Sequence, residues 1–254
     1  MDSLSIPGPI QKFFSIFPLD VLPDQLASAT PPFPTLWIRP PASKLSNQSR
    51  DVVCLKWQAY LVLRGVRGVQ LRWDISDDGA INGRLPSLHL PNGDLLGSGR
   101  LPSWADDVQG SNVDPLEGFK NTDLKHESRA WASLLDRNIQ AALPQNSENL
   151  SRLFQPPLPP LSGISNPLPP FGSHIPSSSI LLQYREAIDS VAVRLDQDEW
   201  FLGSASPTFL DALLYAYLHC ALQGPESLSN EILKRENLVN WEHKVSEMME
   251  SAYQ

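Results

Sequence analysis

A stretch that is apolar on nearly every side of a helix constrains this chain more than any other feature. Residues 209–222 have the sequence FLDALLYAYLHCAL, and a helix of that kind must be enclosed by other elements. Thr208 before it can accept a hydrogen bond from the amide three residues on, and Asp211 can reach back to the Thr208 amide. The sequence therefore predicts the central helix of a helical domain, opened by a capping box.

The composition indicates a globular protein and argues against a nucleic-acid binder. The chain has 254 residues, of which 41% are hydrophobic, and a net charge of −8. Nucleic-acid binding needs clustered Lys and Arg to contact phosphates. The chain's one basic cluster is expected to be a solvated face, with a lipid or acidic-partner patch as the alternative. Its members are Lys56, Arg64, Arg67 and Arg72.

Cysteine usage and hydropathy bear on the compartment. Cys54 and Cys220 are far apart and form no CxxC pair, which favours a reducing compartment. The N-terminus lacks the basic start and continuous apolar core of a secretory signal, so no cleaved leader is expected. Asp211 and His219 interrupt the longest apolar stretch, which is shorter than the roughly 20 residues that span a bilayer. We therefore expect no membrane-spanning helix.

The first half of the chain alternates between strand and helix patterns. Residues 35–39 (TLWIR) predict a strand, residues 51–64 a helix with Asp51 as N-cap and Gly65 as its stop, and residues 69–75 a second strand. Residues 85–91 and 94–96 flank Asn92-Gly93, which favours a hairpin with a type I′ turn. A short helix over residues 98–107 closes this half.

The second half has helical periodicity throughout. Helices are predicted over residues 123–143, 180–195, 208–222 and 226–235, followed by a last helix that carries Leu238, Trp241, Val245 and Met248. Proline is concentrated in the early chain and in residues 155–176, where it predicts loops. A PxxP ligand for an aromatic groove is the alternative for Pro156 to Pro160.

Few residues of the chain carry a recognisable chemical motif. The five histidines lack metal-ligand spacing, and Asp77-Asp78-Gly79 predicts a turn rather than a cation site. Cys54 lies near a helix start, which lowers a thiol pKa, but its apolar neighbours raise it. We interpret it as a buried structural cysteine and Cys220 as inert. No catalytic, cofactor-binding or metal-binding residue is assigned.

Three phenylalanines near the N-terminus need burial somewhere. Phe13, Phe14 and Phe17 lie close together in a segment with few charges. They either pack on the chain's own helical domain or form an interface with a partner subunit.

The order of elements resembles the glutathione transferase fold, an N-terminal thioredoxin-like α/β domain followed by an all-helical domain. In that family a cis-proline precedes the third strand, which matches Leu85-Pro86-Ser87-Leu88, and a capping box opens the central C-terminal helix, which matches Thr208 to Asp211. The resemblance thus implies structural roles for Pro86, Thr208 and Asp211. It divides the chain into an extension (1–32), a thioredoxin-like domain (33–110) and a helical domain (111–254) with a proline-rich insertion at 155–178.

Within that superfamily the chain resembles the metaxin family, closest to its metaxin-2-like branch. The matching residues are Cys54-Leu55-Lys56, Tyr60-Leu61 and Gly65, the stretches LPSLHLPNGDLLGSG and FLGSASPTFLDALLYAYLHCAL, and the early FFSIFPLD.

The resemblance to metaxins implies a function and a location. It implies a non-catalytic subunit of the mitochondrial sorting and assembly machinery, peripheral to the outer membrane on its cytosolic face. Its expected partners are the barrel-forming core subunit, a second metaxin-like subunit and β-barrel precursor proteins. No cofactor and no nucleic acid are expected.

Two departures from the transferase pattern support the view that the chain is not an enzyme. The insertion PPASKLSNQSR separates the first strand from the first helix, and Gly97-Ser98 replaces the acidic-serine pair expected after the hairpin. The alternative is a glutathione-dependent transferase or reductase that uses Cys54 or a hydroxyl such as Ser43. A third interpretation is a cytosolic interaction module like those attached to translation factors.

Overall fold

A computed structural model of the protein describes residues 30–41, 43, 46–110, 114–143 and 177–253. Phe13, Phe14 and Phe17 lie outside the described residues, as do residues 155–176 of the proline-rich insertion. No described helix has the length and apolarity that crossing a bilayer requires.

A mixed sheet of four short strands forms the front half. Its order is β2-β1-β3-β4, with β1 and β2 parallel and the other neighbours antiparallel. The strands are β1 (Thr35–Trp37), β2 (Gln70–Arg72), β3 (Ser87–His89) and β4 (Leu95–Gly97). Each is shorter than or shifted from its predicted range, because apolar runs extend beyond the residues that pair.

Helix α1 (Val52–Leu63) connects β1 to β2 and begins where the sequence predicts. The Asp51 carboxylate accepts a hydrogen bond from the Cys54 amide at 2.9 Å, which satisfies one of the free donors of the first turn. Gly65 follows the last turn with a φ of 77°, a conformation that favours glycine. Nearly every residue of α1 from Cys54 on is buried.

The hairpin between β3 and β4 forms, but its predicted type I′ turn is wrong. That turn requires positive φ at both Asn92 and Gly93, and of the two only Gly93 has it, at 91°. The Gly93 amide donates to the Leu90 carbonyl at 3.0 Å. Pro91 holds a φ near −65° and thereby favours an ordinary type I turn with itself in the second position.

The Leu85-Pro86 peptide bond is cis and leads directly into β3. After β4, a 3₁₀ turn at Ser98–Arg100 precedes helix α2 (Leu101–Gln109), which therefore begins three residues later than predicted. Pro102 lies in its first turn, where the missing amide leaves no hydrogen bond unmade.

Five helices of the rear half lie within the described residues: α3 (Thr122–Leu134), α4 (Ser177–Leu195), α5 (Phe209–Leu222), α6 (Glu226–Leu233) and α7 (Glu236–Ala252). Helix α3 continues through a π-helical turn at Leu135–Ile139 and a last turn at Gln140–Ala142. The sheet followed by these helices is the glutathione-transferase-like architecture that the sequence predicts.

Helices α1 and α5 form the centre of the core. They pack along each other, with the Trp57 and Tyr60 rings 5.5 Å and 5.9 Å from the Phe209 ring, measured between centroids. Ten residues of α5 are buried, as expected for a helix that is apolar all round. The two halves therefore share one core across this contact.

A capping box joins Thr208 and Asp211 at the start of α5. The fully buried Asp211 carboxylate accepts hydrogen bonds from the Thr208 amide, the Thr208 hydroxyl and the Phe201 amide, all at 2.7 Å. Burial raises the pKa of the Asp211 carboxyl to about 6, although these hydrogen bonds act to lower it. Asp211 thereby links α5 to the loop that precedes it.

The raised pKa of Asp211 makes stability depend on pH. The folded state binds the Asp211 proton more tightly than the unfolded chain, whose aspartate has the ordinary pKa of 3.8. This contribution is present below about pH 4 and is lost as pH rises to about 6. Because an asparagine side chain does not titrate, the destabilisation caused by Asp211→Asn should shrink by up to ~3 kcal/mol over that interval.

Urea unfolding of the wild type and of Asp211→Asn, measured across this pH interval, checks the expectation. Asp78→Asn is the matched control because Asp78 is exposed. Equal pH profiles for the two variants would contradict the role assigned to Asp211.

Candidate functional site

The candidate site lies at the carboxyl end of β1. There the chain leaves β1 next to the start of β3, because Trp37 pairs with Ser87, and the cis Leu85-Pro86 bond is close by. The N-terminus of α1 reaches the same region, since Arg39 contacts both Asp51 and Cys54. The region thus combines a sheet edge, a helix start and a cis peptide bond.

An arginine and two aspartates form an ion-pair cluster here, which we call the Arg39 bridge. The Arg39 guanidinium donates to the Asp51 carboxylate at 2.9 Å and to both oxygens of Asp77 at 2.6 and 3.3 Å. Asp77 lies in the turn that the sequence predicts at residues 77–79. The bridge therefore ties the end of β1 to the cap of α1 and to the segment before β3.

The charged groups of the Arg39 bridge are paired with one another. The side chains of Arg39, Asp51 and Asp77 are 26%, 18% and 35% exposed, so all three are partly desolvated. The hydrogen bond to Asp77 raises the pKa of Arg39 despite the opposing effect of burial. An external anion would need an unpaired cation at this place. The Arg39 guanidinium is already paired with two carboxylates.

Cys54 lies behind the Arg39 bridge and is fully buried. Burial and the nearby Asp51 carboxylate raise the pKa of its thiol well above the ordinary value, although the hydrogen bond from the Arg39 amide to Sγ, at 3.4 Å, opposes this. The burial expected from its apolar neighbours is confirmed. A thiol in this state is not a nucleophile at neutral pH.

The insertion between β1 and α1 is held by a buried amide. The Gln58 side chain accepts from the Ser49 amide and donates to the Asn47 carbonyl, both at 2.9 Å. Gln58 is fully buried in α1, whose other buried residues are hydrophobic. Both ends of its amide are therefore used to fix the insertion against the helix.

The same insertion is bonded to the helical half. The Gln48 amide donates to the Ser246 hydroxyl at 3.1 Å and accepts from the Tyr215 hydroxyl. Asn47 donates to the Tyr253 carbonyl at 2.9 Å. Residues of α5 and α7 therefore hold the segment that precedes α1.

Three serines that could supply the hydroxyl of a glutathione-dependent enzyme differ in their exposure to solvent. Ser49 is fully buried and donates to the Arg39 carbonyl at 2.8 Å. Ser43 is exposed on the insertion, and Ser98 is half-buried at the turn that leads into α2. Of these three serines, Ser43 and Ser98 are accessible to solvent.

The predicted basic face does not form one patch. Arg64 pairs with Asp106, and Arg72 pairs with Asp74 while its guanidinium lies 4.6 Å from the Trp37 ring centroid. Lys56 is half-buried, and burial lowers its pKa. The expectation of a solvated face is therefore wrong for Lys56.

Cys220 is less buried than its apolar helix suggests. It is half-buried, and its thiol donates to the Arg50 carbonyl at 3.4 Å. Desolvation of the Cys220 thiol, together with the nearby Asp51 carboxylate, raises the pKa of this thiol to about 12. Within the described residues, no group of three His, Cys, Asp or Glu side chains has metal-site geometry.

Sequence reasoning missed both the Arg39 bridge and the role of Gln58. Arg39 and Asp77 are separated by 38 positions, so no local spacing connects them. Gln58 did carry a signal, because a lone amide inside the apolar run VVCLKWQAYLVL must find buried partners.

The comparisons with known proteins concern the fold. Residues 184–245, which lie within the helical half, match the family "Glutathione S-transferase, C-terminal domain". No curated protein matches the sequence.

Several solved structures of glutathione transferases are similar to this chain in fold. That of Methylobacterium radiotolerans, in complex with glutathione sulfonate, has a TM-score of 0.54 and is 15% identical, covering 87% of this chain and 95% of that one. That of Rhodospirillum rubrum has a TM-score of 0.52 and is 12% identical, covering 84% and 87%. Transferase Omega 3C of Trametes versicolor has a TM-score of 0.50 and is 11% identical, covering 86% and 84%.

These likenesses establish a glutathione-transferase-like fold. The expectation that the chain is not an enzyme is contradicted, because the structures that share its fold are glutathione S-transferases, which are enzymes. The physical basis of the earlier expectation, an insertion and a missing acidic-serine pair, concerns two local segments and leaves the rest of the fold unchanged.

The burial of Cys54 has a direct consequence for its reactivity. In the native protein, alkylation of Cys54 by iodoacetamide should be at least about 100-fold slower than in the urea-unfolded chain, because both the thiolate and access are lacking. Mass spectrometry of the labelled peptides measures it, with Cys220→Ser as the variant that leaves Cys54 as the single thiol. A native rate near the unfolded rate would identify Cys54 as a reactive thiol instead.

Proposed function

We propose that this chain is a subunit of the machinery that sorts β-barrel proteins and assembles them into the mitochondrial outer membrane, lying on the cytosolic face of that membrane. Support comes from the segments that resemble metaxins. Two of them, residues 85–99 and 201–222, form the cis-proline hairpin and the capped central helix of a glutathione-transferase-like fold. In this proposal the fold presents surfaces to other proteins.

The Arg39 bridge is the observation that carries the proposal. The region between the end of β1 and the start of α1 is filled by mutually paired side chains, Arg39 with Asp51 and Asp77, and the thiol behind them is buried. The insertion next to it is fixed to α5 and α7 through Gln48. A region whose charged groups are already paired with one another suits a protein that docks partners.

The proposed partners are a barrel-forming outer-membrane protein, a second metaxin-like subunit and β-barrel precursors. Phe13, Phe14 and Phe17 are proposed as part of the interface with a partner subunit, because three neighbouring phenylalanines in a segment with few charges require burial.

Replacing Phe13, Phe14 and Phe17 together by serine should release the protein from its complex while its melting temperature stays unchanged. The reason is that interface aromatics contribute most of the binding free energy, and their loss lowers affinity by at least about tenfold. The measurement is affinity purification from mitochondria in mild detergent, with the accompanying proteins identified by mass spectrometry.

A matched control is Val193→Ser, since Val193 is 79% exposed and apolar but lies on α4. Recovery of the tagged protein in the soluble cytosolic fraction without a barrel-forming companion would contradict the proposal. Unfolding of the triple variant would instead assign the three phenylalanines to the chain's own core.

The second candidate is a glutathione-dependent transferase or reductase, and the comparisons favour it over the first. The family match and the solved structures all concern glutathione transferases. The accessible hydroxyls of Ser43 and Ser98 are the groups that would assist a bound thiol or hold the tripeptide.

Calorimetry with glutathione separates the two candidates. For the second candidate we expect a saturable heat with a Kd in about the millimolar range, reduced at least about threefold in affinity by Ser98→Ala, which removes one hydrogen bond. Ser103→Ala, in the exposed part of α2, is the control. Absence of any saturable heat at up to ~10 mM glutathione would count against the second candidate.

A further inference from the structure

Among the described strands, β2 has a neighbour only on the β1 side, and a groove lies along its other side. It has a volume of about 550 Å³ and is lined by residues from β2 and its flanks, by Phe33 before β1, and by Ala252 and Tyr253 after α7. A volume of this size matches the sites that hold a small ligand or a few residues of peptide. We call it the β2 groove.

The backbone of β2 faces the groove with hydrogen-bonding groups. On its inner side, the Gln70 amide donates to the Pro34 carbonyl at 2.8 Å, and the Ile38 amide donates to the Arg72 carbonyl at 2.9 Å. Peptide groups of alternate residues point to opposite sides of a strand in a ladder. The amide and carbonyl of Leu71 therefore point away from β1, toward the groove.

The side chains that line the groove are apolar or uncharged. Phe33 is 53% exposed and Trp73 is 42% exposed, so two large rings flank the edge of β2. Asn47 supplies polarity without charge, and its bond to the Tyr253 carbonyl fixes the opposite wall. The lining described contains no Asp, Glu, Lys or Arg.

We propose that the β2 groove binds an uncharged, extended peptide segment of another protein, which adds to the sheet as a strand beside β2. The Leu71 amide and carbonyl bond to the backbone of the segment, and its apolar side chains pack on Phe33 and Trp73. Addition of a strand to an exposed sheet edge is a general mode of peptide recognition. This inference goes beyond the proposed function and holds for either candidate.

The chemistry of the groove favours this occupant over a charged ligand. An anion such as glutathione needs a cation for its carboxylates, and the lining provides none. Sheet edges that must stay unpaired usually carry a charge or a proline on the strand. β2 contains no proline, and its one charged residue, Arg72, is neutralised by an ion pair with Asp74.

The test uses the full-length protein and a fluorescent eight-residue peptide of alternating valine and threonine, with a glycine at each end. Two further peptides are N-methylated, one at alternate amides and one at every amide. The first keeps one edge able to pair and should bind within about twofold of the parent peptide. The second has no amide left to donate to the Leu71 carbonyl, and its methyl groups keep another backbone at a distance on both edges. It should therefore bind at least about tenfold more weakly.

Variants of the protein locate the binding. Trp73→Ala should weaken binding of the parent peptide by at least about fivefold, because an exposed ring at the groove is lost. Leu95→Ala is the matched control, since Leu95 is 52% exposed on β4, the other edge of the same sheet. Circular dichroism confirms that both variants fold.

Three outcomes would overturn the proposal. One is equal binding of the parent and the fully methylated peptide, which would show apolar contact without strand pairing. Another is no binding of the parent peptide at up to ~1 mM. The third is a dimer in sedimentation that Trp73→Ala converts to a monomer, since the occupant would then be a second copy of this chain.

Discussion

A helix buried on every side leaves its polar groups no access to water, so each must find a partner inside the protein. Helix α5 meets this constraint at three points. Asp211 accepts from Thr208 and Phe201 at its start, Tyr215 donates to Gln48, and Tyr217 donates to Asp136 at 2.6 Å. These bonds fix the preceding loop, the insertion and the π-helical turn around one helix.

Helix α1 faces the same constraint from the front half. It is nearly as apolar as α5, and its one buried amide, Gln58, bonds to the insertion at Ser49 and Asn47. Since the insertion is in turn bonded to α5 through Gln48, the two buried helices share a polar connection as well as an apolar contact. The end of β1 is thereby held in place, and the Arg39 bridge with it.

The parts of the fold that could be predicted have local causes. The ranges of α1 and α5 follow from apolar periodicity and from caps at Asp51 and Thr208, and the strand order follows from the resemblance of the whole pattern. The dipeptide Asn92-Gly93 alone predicts a type I′ turn, but the fixed φ of Pro91 selects a different turn. The predicted start of helix α2 is three residues too early, because the first turn after β4 is 3₁₀.

The candidate site could be predicted only in part. The burial of Cys54 follows from its apolar neighbours, but the pairing of Arg39 with Asp77 depends on how β1 and the segment before β3 meet in space. A glutamine in a mostly apolar helix indicates that its side-chain amide has buried partners. The sequence does not identify the partners of Gln58, because they lie on an irregular segment with no pattern. Contacts of this kind arise from tertiary packing, so a single sequence does not reveal them.

Two parts of the sheet differ in whether their polar groups already have hydrogen-bond partners. At the carboxyl end of β1, guanidinium and carboxylates neutralise one another, and adding an anion there would require breaking a bond between Arg39 and an aspartate. Along β2, the outward peptide groups of Leu71 can gain a bond without losing one inside the protein. Binding of a new partner therefore costs less at the β2 groove than at the Arg39 bridge.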